Sequence, residues 1–346
     1  MRFLFVLSCL ALASPQPAAA CTTFCATGGG GPLVGKSYDW HLEAGHVLIN
    51  KRGVRKTALV AQGKPASWTS KYGSLTFNQY GREFPNGGMN EKGLVVEIMW
   101  LDSSIYPRAD QRPTINELQW IQYQLDRYAT VEEVIKSARA LRVAPVTAKV
   151  HYMACDRSGS CAALEYVGGK MLVTTGSKLP ARVLTNDTYA QGASFLRRHK
   201  GFGGKRSLPT TGPGSKQRFV IAAASAKNGA RTVSGAFAVL DRVSQGEYSK
   251  WNIVYEPRRG RVHFRTRSRR ARKSVSLRRF DFRCTSDTRF FDLASRSKGQ
   301  VDGLFRPWTP AANRELVERN MKDAKVPRLL IGIAAAYPAT TSCASR

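Results

Sequence analysis

A thiol at a chain terminus is nucleophile and base at once, because its own α-amino group, with a reference pKa of about 7.7 to 8, can take the thiol proton. Cys21 is placed to become such a terminus. Ahead of it stand Arg2, an apolar run from Phe3 to Ala13, and Ser14-Pro15-Gln16-Pro17-Ala18-Ala19-Ala20. These are the regions of a secretory signal with an A-x-A cleavage site. The apolar run falls short of the roughly 18 residues that span a bilayer, and no later stretch reaches that length. Cleavage after Ala20 is expected to release a secreted or periplasmic chain that begins at Cys21. A lipoprotein signal also ends just before a cysteine, but its usual leucine three positions earlier is Ala18 here. Position alone leaves Cys21 open between a catalytic thiol and a disulfide or buried partner.

The residues that follow decide between these. Gly35-Lys36-Ser37-Tyr38-Asp39-Trp40 lies on the strand expected to return beside Cys21 across the glycine turn at 28–31. At this point the chain resembles the choloylglycine hydrolase family of linear amide hydrolases, which begins its mature chains with Cys-Thr or Cys-Ser and continues with Gly/Ala-Arg-x-x-Asp. Gly88-Met89-Asn90-Glu91-Lys92-Gly93-Leu94, Leu184-Thr185-Asn186, Gln217-Arg218-Phe219 and Trp251-Asn252-Ile253-Val254-Tyr255 are similar to further family motifs, in the family's order, over residues 21 to about 270. The resemblance implies a four-layer αββα sandwich of the N-terminal-nucleophile hydrolases, no cofactor and no metal. It implies that Asp39 orients the α-amino group of Cys21, that Arg218 favours the thiolate, and that Asn186 with the backbone N–H of Trp100 binds the oxyanion. Lys36 replaces the family's arginine, keeping the charge and losing the planar fork of donors.

Trp40 and Trp100 are expected to form an aromatic wall for a phenoxyacetyl or fatty acyl group. The pair resembles the Gram-negative branch of the family, with penicillin V acylase activity and cleavage of N-acyl homoserine lactones. A conjugated bile salt is the alternative substrate. Family members are often tetramers, so a homo-oligomer is implied.

The elements that must position these groups read as α+β. Strands are expected at 22–26, 33–37 and 93–100, the last after a turn at Asn86-Gly87-Gly88, and helices at 115–128 and 131–141, the second with a Thr130/Glu133 capping box. Strands follow at 149–154, 162–166, 171–175 and 182–185, helices at 218–227 and 233–243, and strands at 252–255, 261–267 and 275–282. Strands and helices come in blocks rather than as β-α-β units. The expected organisation is a signal peptide at 1–20, one domain at 21–305 and a C-terminal extension at 306–346.

The formal net charge is +30, from 54 Lys and Arg against 24 Asp and Glu, and twelve of the basic residues fall between Arg258 and Arg283. Such a patch can serve nucleic acid or an anionic envelope surface. In Arg261-Val262-His263-Phe264-Arg265-Thr266-Arg267, however, basic and apolar residues alternate, as on the solvated face of an outer strand. No nucleic-acid partner is expected; the partner is a small N-acyl amide. A lipoprotein or a basic envelope-binding protein is the non-enzymatic alternative. Six cysteines follow the signal, and the five-residue turn between Cys155 and Cys161 allows a bridge across a hairpin.

Overall fold

The computed structural model describes residues 21–146, 148–323 and 328–344. The expected signal segment lies outside them. Two large sheets form the middle of the molecule. The first has seven strands in the order Val183–Leu184, Thr22–Gly28, Gly31–Asp39, Ser249–Glu256, Arg261–Thr266, Lys273–Ser276 and Gly299–Gln300. All its pairings are antiparallel except the last. The second has nine strands, in the order Lys170–Thr175, Cys161–Val167, Val150–Cys155, Val95–Trp100, Pro85–Asn90, Ser74–Asn78, His46–Asn50, Arg289–Asp292 and Arg306–Pro307.

Side chains alternate across a strand, so the second sheet feeds two cores. Val95, Met99 and Met153 enter the core shared with the first sheet, whereas Val96, Ile98, Tyr152 and Ala154 enter one shared with the helices Glu117–Arg127 and Val131–Ala140. The helices Tyr189–Leu196, Ser215–Asn228 and Val233–Arg242 cover the opposite side, against the first sheet. The order is helix, sheet, sheet, helix: the αββα sandwich that the resemblance implied. Thr130 and Glu133 make the capping box reciprocally.

Three expectations need correction. Asn86-Gly87-Gly88 is not a turn but the interior of the strand Pro85–Asn90. Its glycines serve close approach: a Cβ at Gly87 would lie 2.3 Å from the Glu97 carboxylate, and one at Gly88 would lie 2.4 Å from the Leu75 carbonyl oxygen. The turn comes later, where Asn90 accepts from the N–H groups of Lys92 and Leu94 and donates to the Leu125 and Tyr128 carbonyls. The expected strand 275–282 ends at Ser276 and passes into a 3-10 turn, Leu277–Arg279.

The strand Arg261–Thr266 buries Val262, Phe264 and Thr266, with Arg261 exposed and His263 and Arg265 half-buried. It is not the outer strand expected, since it lies between Ser249–Glu256 and Lys273–Ser276, and its basic face is partly covered because His263 and Arg265 pair with Glu256 and Asp241. Cys155–Cys161 is a disulfide within its hairpin, and a second bridge joins Cys284 to Cys343. Residues beyond 305 pack onto the second core through Val317, Met321, Ile331 and Tyr337. Asn320, on the helix Pro310–Asp323, donates to the carbonyls of Gln79 and Ala44. Gln79 in turn accepts from the Tyr38 hydroxyl at 2.8 Å, so this helix supports the strand that carries Asp39.

Candidate active site

The hairpin Thr22–Gly28/Gly31–Asp39 turns through Gly29 and Gly30, pairing Gly28 with Gly31 and Thr22 with Ser37. Gly31 has φ +117°, a conformation that suits glycine. Gly35 is required by packing, since a Cβ there would sit 2.3 Å from the ring of Phe24, which is fully buried. This register brings Cys21 to the end of the strand alongside Asp39, and the Cys21 thiol faces the Asp39 carbonyl at 3.9 Å.

The Asp39 carboxylate is buried. Its Oδ1 accepts from the hydroxyls of Ser37 and Ser249, each at 2.6 Å, while Oδ2 has no hydrogen-bond partner among the described residues. Burial raises the Asp39 carboxyl above its usual range, opposed by Arg218, both serines and Lys36. Burial also pushes the Cys21 thiol up, and Lys36 is the strongest opposing influence, with Arg218 acting in the same sense.

Arg218 lies in the first turn of the helix Ser215–Asn228, fully buried against the first strand. Its Nη1 donates to the Cys21 carbonyl at 2.8 Å and to Thr22 Oγ1 at 2.7 Å, its Nη2 to Asn186 Oδ1 at 2.9 Å, and its Nε to the Pro213 carbonyl at 3.1 Å. One guanidinium therefore fixes the cysteine residue relative to the asparagine, using the planar fork that lysine lacks. Asn186 Nδ2 donates to the Trp100 carbonyl at 2.8 Å. Because Leu101 N–H bonds to Lys149 O, and successive strand residues present their backbone groups to opposite sides, the Trp100 N–H points to the same side as its carbonyl, towards Asn186. The Trp40 and Trp100 rings lie 5.7 Å apart and both are half-buried.

Lys36 is enclosed between the sheets. Its Nζ donates to the Ile98 carbonyl, lies 3.5 Å from Met99 Sδ and stands 3.7 Å from Glu97 Oε2. Glu97 also accepts from the Tyr255 hydroxyl at 2.5 Å. Burial pushes the Glu97 carboxyl from 4.5 up to about 7, against Lys36 and Tyr255. All the expected site residues thus meet: Cys21, Asp39, Asn186, Arg218 and the two tryptophans directly, and Lys36 beneath them in the inter-sheet layer.

A model of linear amide C–N hydrolases, choloylglycine hydrolase family, matches residues 21–255. The chain belongs to this family. A penicillin V acylase from Pectobacterium atrosepticum is 30% identical over 215 residues, 57% of this chain and 56% of that relative; the match spans little more than half of the relative's length. The solved structure of a penicillin V acylase from Agrobacterium tumefaciens is similar at TM-score 0.74 and 27% identity, over 84% of this chain and 98% of that one. A conjugated bile acid hydrolase from Clostridium perfringens, at 17% identity and TM-score 0.66 over 81% of this chain and 98% of the other, shares the fold.

Several residues that hold the candidate site together were not picked out from the sequence. Ser37 and Ser249 fix the Asp39 carboxylate, and nothing in their spacing marks them. Glu97, His151 and Glu165 did carry a signal, each being an ionisable residue inside an apolar strand, where a charge persists only if paired. His151 is fully buried; its Nδ1 meets Glu165 Oε1 at 3.0 Å and its Nε2 meets the Thr185 carbonyl at 2.7 Å. Glu165 Oε1 also accepts from the Tyr189 N–H. The pair thereby grips the chain on both sides of Asn186. Ser215 adds a hydrogen bond to the Asn186 N–H at 2.9 Å.

Proposed function

We propose that the chain is a secreted amide hydrolase whose nucleophile and base are both supplied by Cys21, once cleavage after Ala20 has freed its α-amino group. The observation that carries this reading is the grip of Arg218 on the Cys21 carbonyl and the Asn186 side chain together. It makes the nucleophile and an amide donor parts of one rigid unit.

In this reading the Asp39 carboxylate takes the α-amino group on its unpartnered Oδ2, and the amine accepts the thiol proton. The thiolate, favoured by Lys36 and Arg218, attacks the amide carbon. One Asn186 amide hydrogen is engaged by the Trp100 carbonyl, and the other, without a partner among the described residues, serves the developing oxyanion alongside the Trp100 N–H. The ammonium then protonates the leaving amine, which departs as the C–N bond breaks and leaves a thioester on Cys21. Water, deprotonated by the same amine, hydrolyses the thioester and releases the carboxylic acid.

The paired indoles of Trp40 and Trp100 favour an aromatic or long acyl group on the acid side, and similarity to two penicillin V acylases supports that substrate class. The test is hydrolysis of penicillin V, an N-acyl homoserine lactone and glycocholate by the secreted protein and by Cys21→Ser. Turnover of penicillin V or the lactone, abolished by the substitution, is expected. Turnover of glycocholate alone would replace the substrate assignment, and no turnover of any of the three would sink the activity. Intact mass checks the start: a lipid on Cys21 would rule out a free α-amine.

A further inference from the structure

Beyond Cys21, on the helical side of the first sheet, lies a cleft of about 790 Å³, within the range of sites that enclose a small organic ligand. Its floor is apolar, made by Ala26, Val183, Leu196, Phe202, Ala223 and Ala226. Four cations stand on it: Arg182, Arg197, Lys227 and Arg231, all exposed. No aspartate or glutamate lines the cleft, and among the described residues none of the four forms an ion pair with a carboxylate. Lys227 lies over the Phe202 ring at 5.4 Å, so cationic and apolar surfaces are continuous rather than segregated.

We propose that this cleft binds an amphipathic anion, a carboxylate on an alkyl chain, with the chain on the alanine and phenylalanine floor and the carboxylate among the four cations. Apolar burial gives the chain its driving force. An arginine presents two parallel donors that match a carboxylate's two oxygens. The combination argues against a small inorganic anion, which would leave the floor uncovered, and against a neutral lipid, which would leave the cations unpaired. The cleft is built on elements that also serve the candidate active site. Val183 precedes Asn186 by three residues, and Ala223, Ala226 and Lys227 continue the helix that starts beside Arg218. The assignment does not depend on what Cys21 does.

Calorimetric titration of the secreted protein with dodecanoate, acetate and dodecyl maltoside tests it. Dodecanoate should bind saturably; acetate, with charge but no chain, and the maltoside, with chain but no charge, should bind at least tenfold more weakly. Neutralising the exposed cations as Arg197→Gln/Lys227→Gln/Arg231→Gln should weaken dodecanoate roughly tenfold or more, and Ala226→Trp, which fills the cleft, should do the same by another route. Equal affinity for dodecanoate and acetate, equal affinity for dodecanoate and the maltoside, or dodecanoate binding untouched by both variants would overturn the proposal. In the last case the carboxylate is seated elsewhere.

Discussion

Lys36 and Glu97 form a buried pair whose removal separates structural from catalytic effects. Their charged atoms stand 3.7 Å apart with almost no exposure, a separation worth about 4 kcal/mol at an effective dielectric of 20 before desolvation is subtracted. In Lys36→Met the carboxylate of Glu97 loses this partner. Glu97 already sits at about 7 through burial, so removing Lys36 raises it further. At pH 5.5 Glu97 holds its proton in both proteins, and the variant loses only the Nζ contacts. Above pH 7 the parent ionises Glu97 while the variant must keep it protonated, at about 1.4 kcal/mol per pH unit. The destabilisation should therefore grow by about 2 kcal/mol between pH 7 and 8.5. Chemical denaturation of both proteins across pH 5.5 to 8.5 measures it. Adding Glu97→Gln should remove the pH dependence and recover most of the stability. Hydrolysis should not recover, because the charge that opposes burial of the Cys21 thiolate remains absent. A pH-independent stability loss would refute the placement of the Glu97 proton. Full activity in the double variant would show that Lys36 matters only as the partner of Glu97.

Asn186→Ala should lower kcat by about 100- to 1,000-fold if the side chain is an oxyanion donor, with KM changed far less; an unchanged kcat in steady-state assays would exclude that role. His151→Ala frees the Thr185 carbonyl and the Glu165 carboxylate in a fully buried site, so it should cost roughly 1–3 kcal/mol of stability and lower kcat by loosening Asn186. Thermal melts and kinetics together check this, and a melting change with kcat intact would confine His151 to structure. Opening the Cys284–Cys343 bridge, which closes a separation of 59 residues, should cost about 4 kcal/mol in the chain-entropy account, against about 2 kcal/mol for Cys155–Cys161 with a separation of 6. Paired Cys→Ala variants and denaturant titration give the order, and a larger loss from the shorter loop would contradict it.

The motifs were legible as an ordered series, whereas their physical reasons were not. Gly87 and Gly88 read as a turn because glycine usually permits one; here they admit the Glu97 carboxylate and the neighbouring Leu75 backbone into a central strand. The strand Ser74–Asn78 went unread for a related reason. Ser74, Thr76 and Asn78 suggest a wet face, yet all three are fully buried, and Asn50 donates to Ser74 and Thr76 while Thr76 donates to Asn78. A polar face satisfied internally has the same alternation as one facing water. By contrast the alternation of Arg261–Thr266 and the Thr130/Glu133 helix start were readable because period and cap depend on nearby residues alone, whereas the place of that strand inside the sheet depends on distant partners.

The candidate site depends on register more than on any single contact. Thr22 pairs with Ser37, Thr23 with Leu184 and Ser249 with Asp39, so Thr22, Ser37, Asp39 and Ser249, from three adjacent strands, come to the same end of the sheet as Cys21. A slip of one residue would turn each side chain to the opposite face, which is why packing at Gly35 against Phe24 bears on the chemistry although neither touches the thiol. Arg218 then locks the register from outside the sheet, holding the Cys21 backbone and the Asn186 side chain with one rigid group. A lysine could neutralise charge at that position but could not span both partners in plane. At position 36 the side chain ends in a closed layer among Ile98, Met99 and Glu97, where a compact ammonium meets its partners from one point. The same geometric reasoning that requires the fork at Arg218 therefore accommodates lysine in place of the family's arginine.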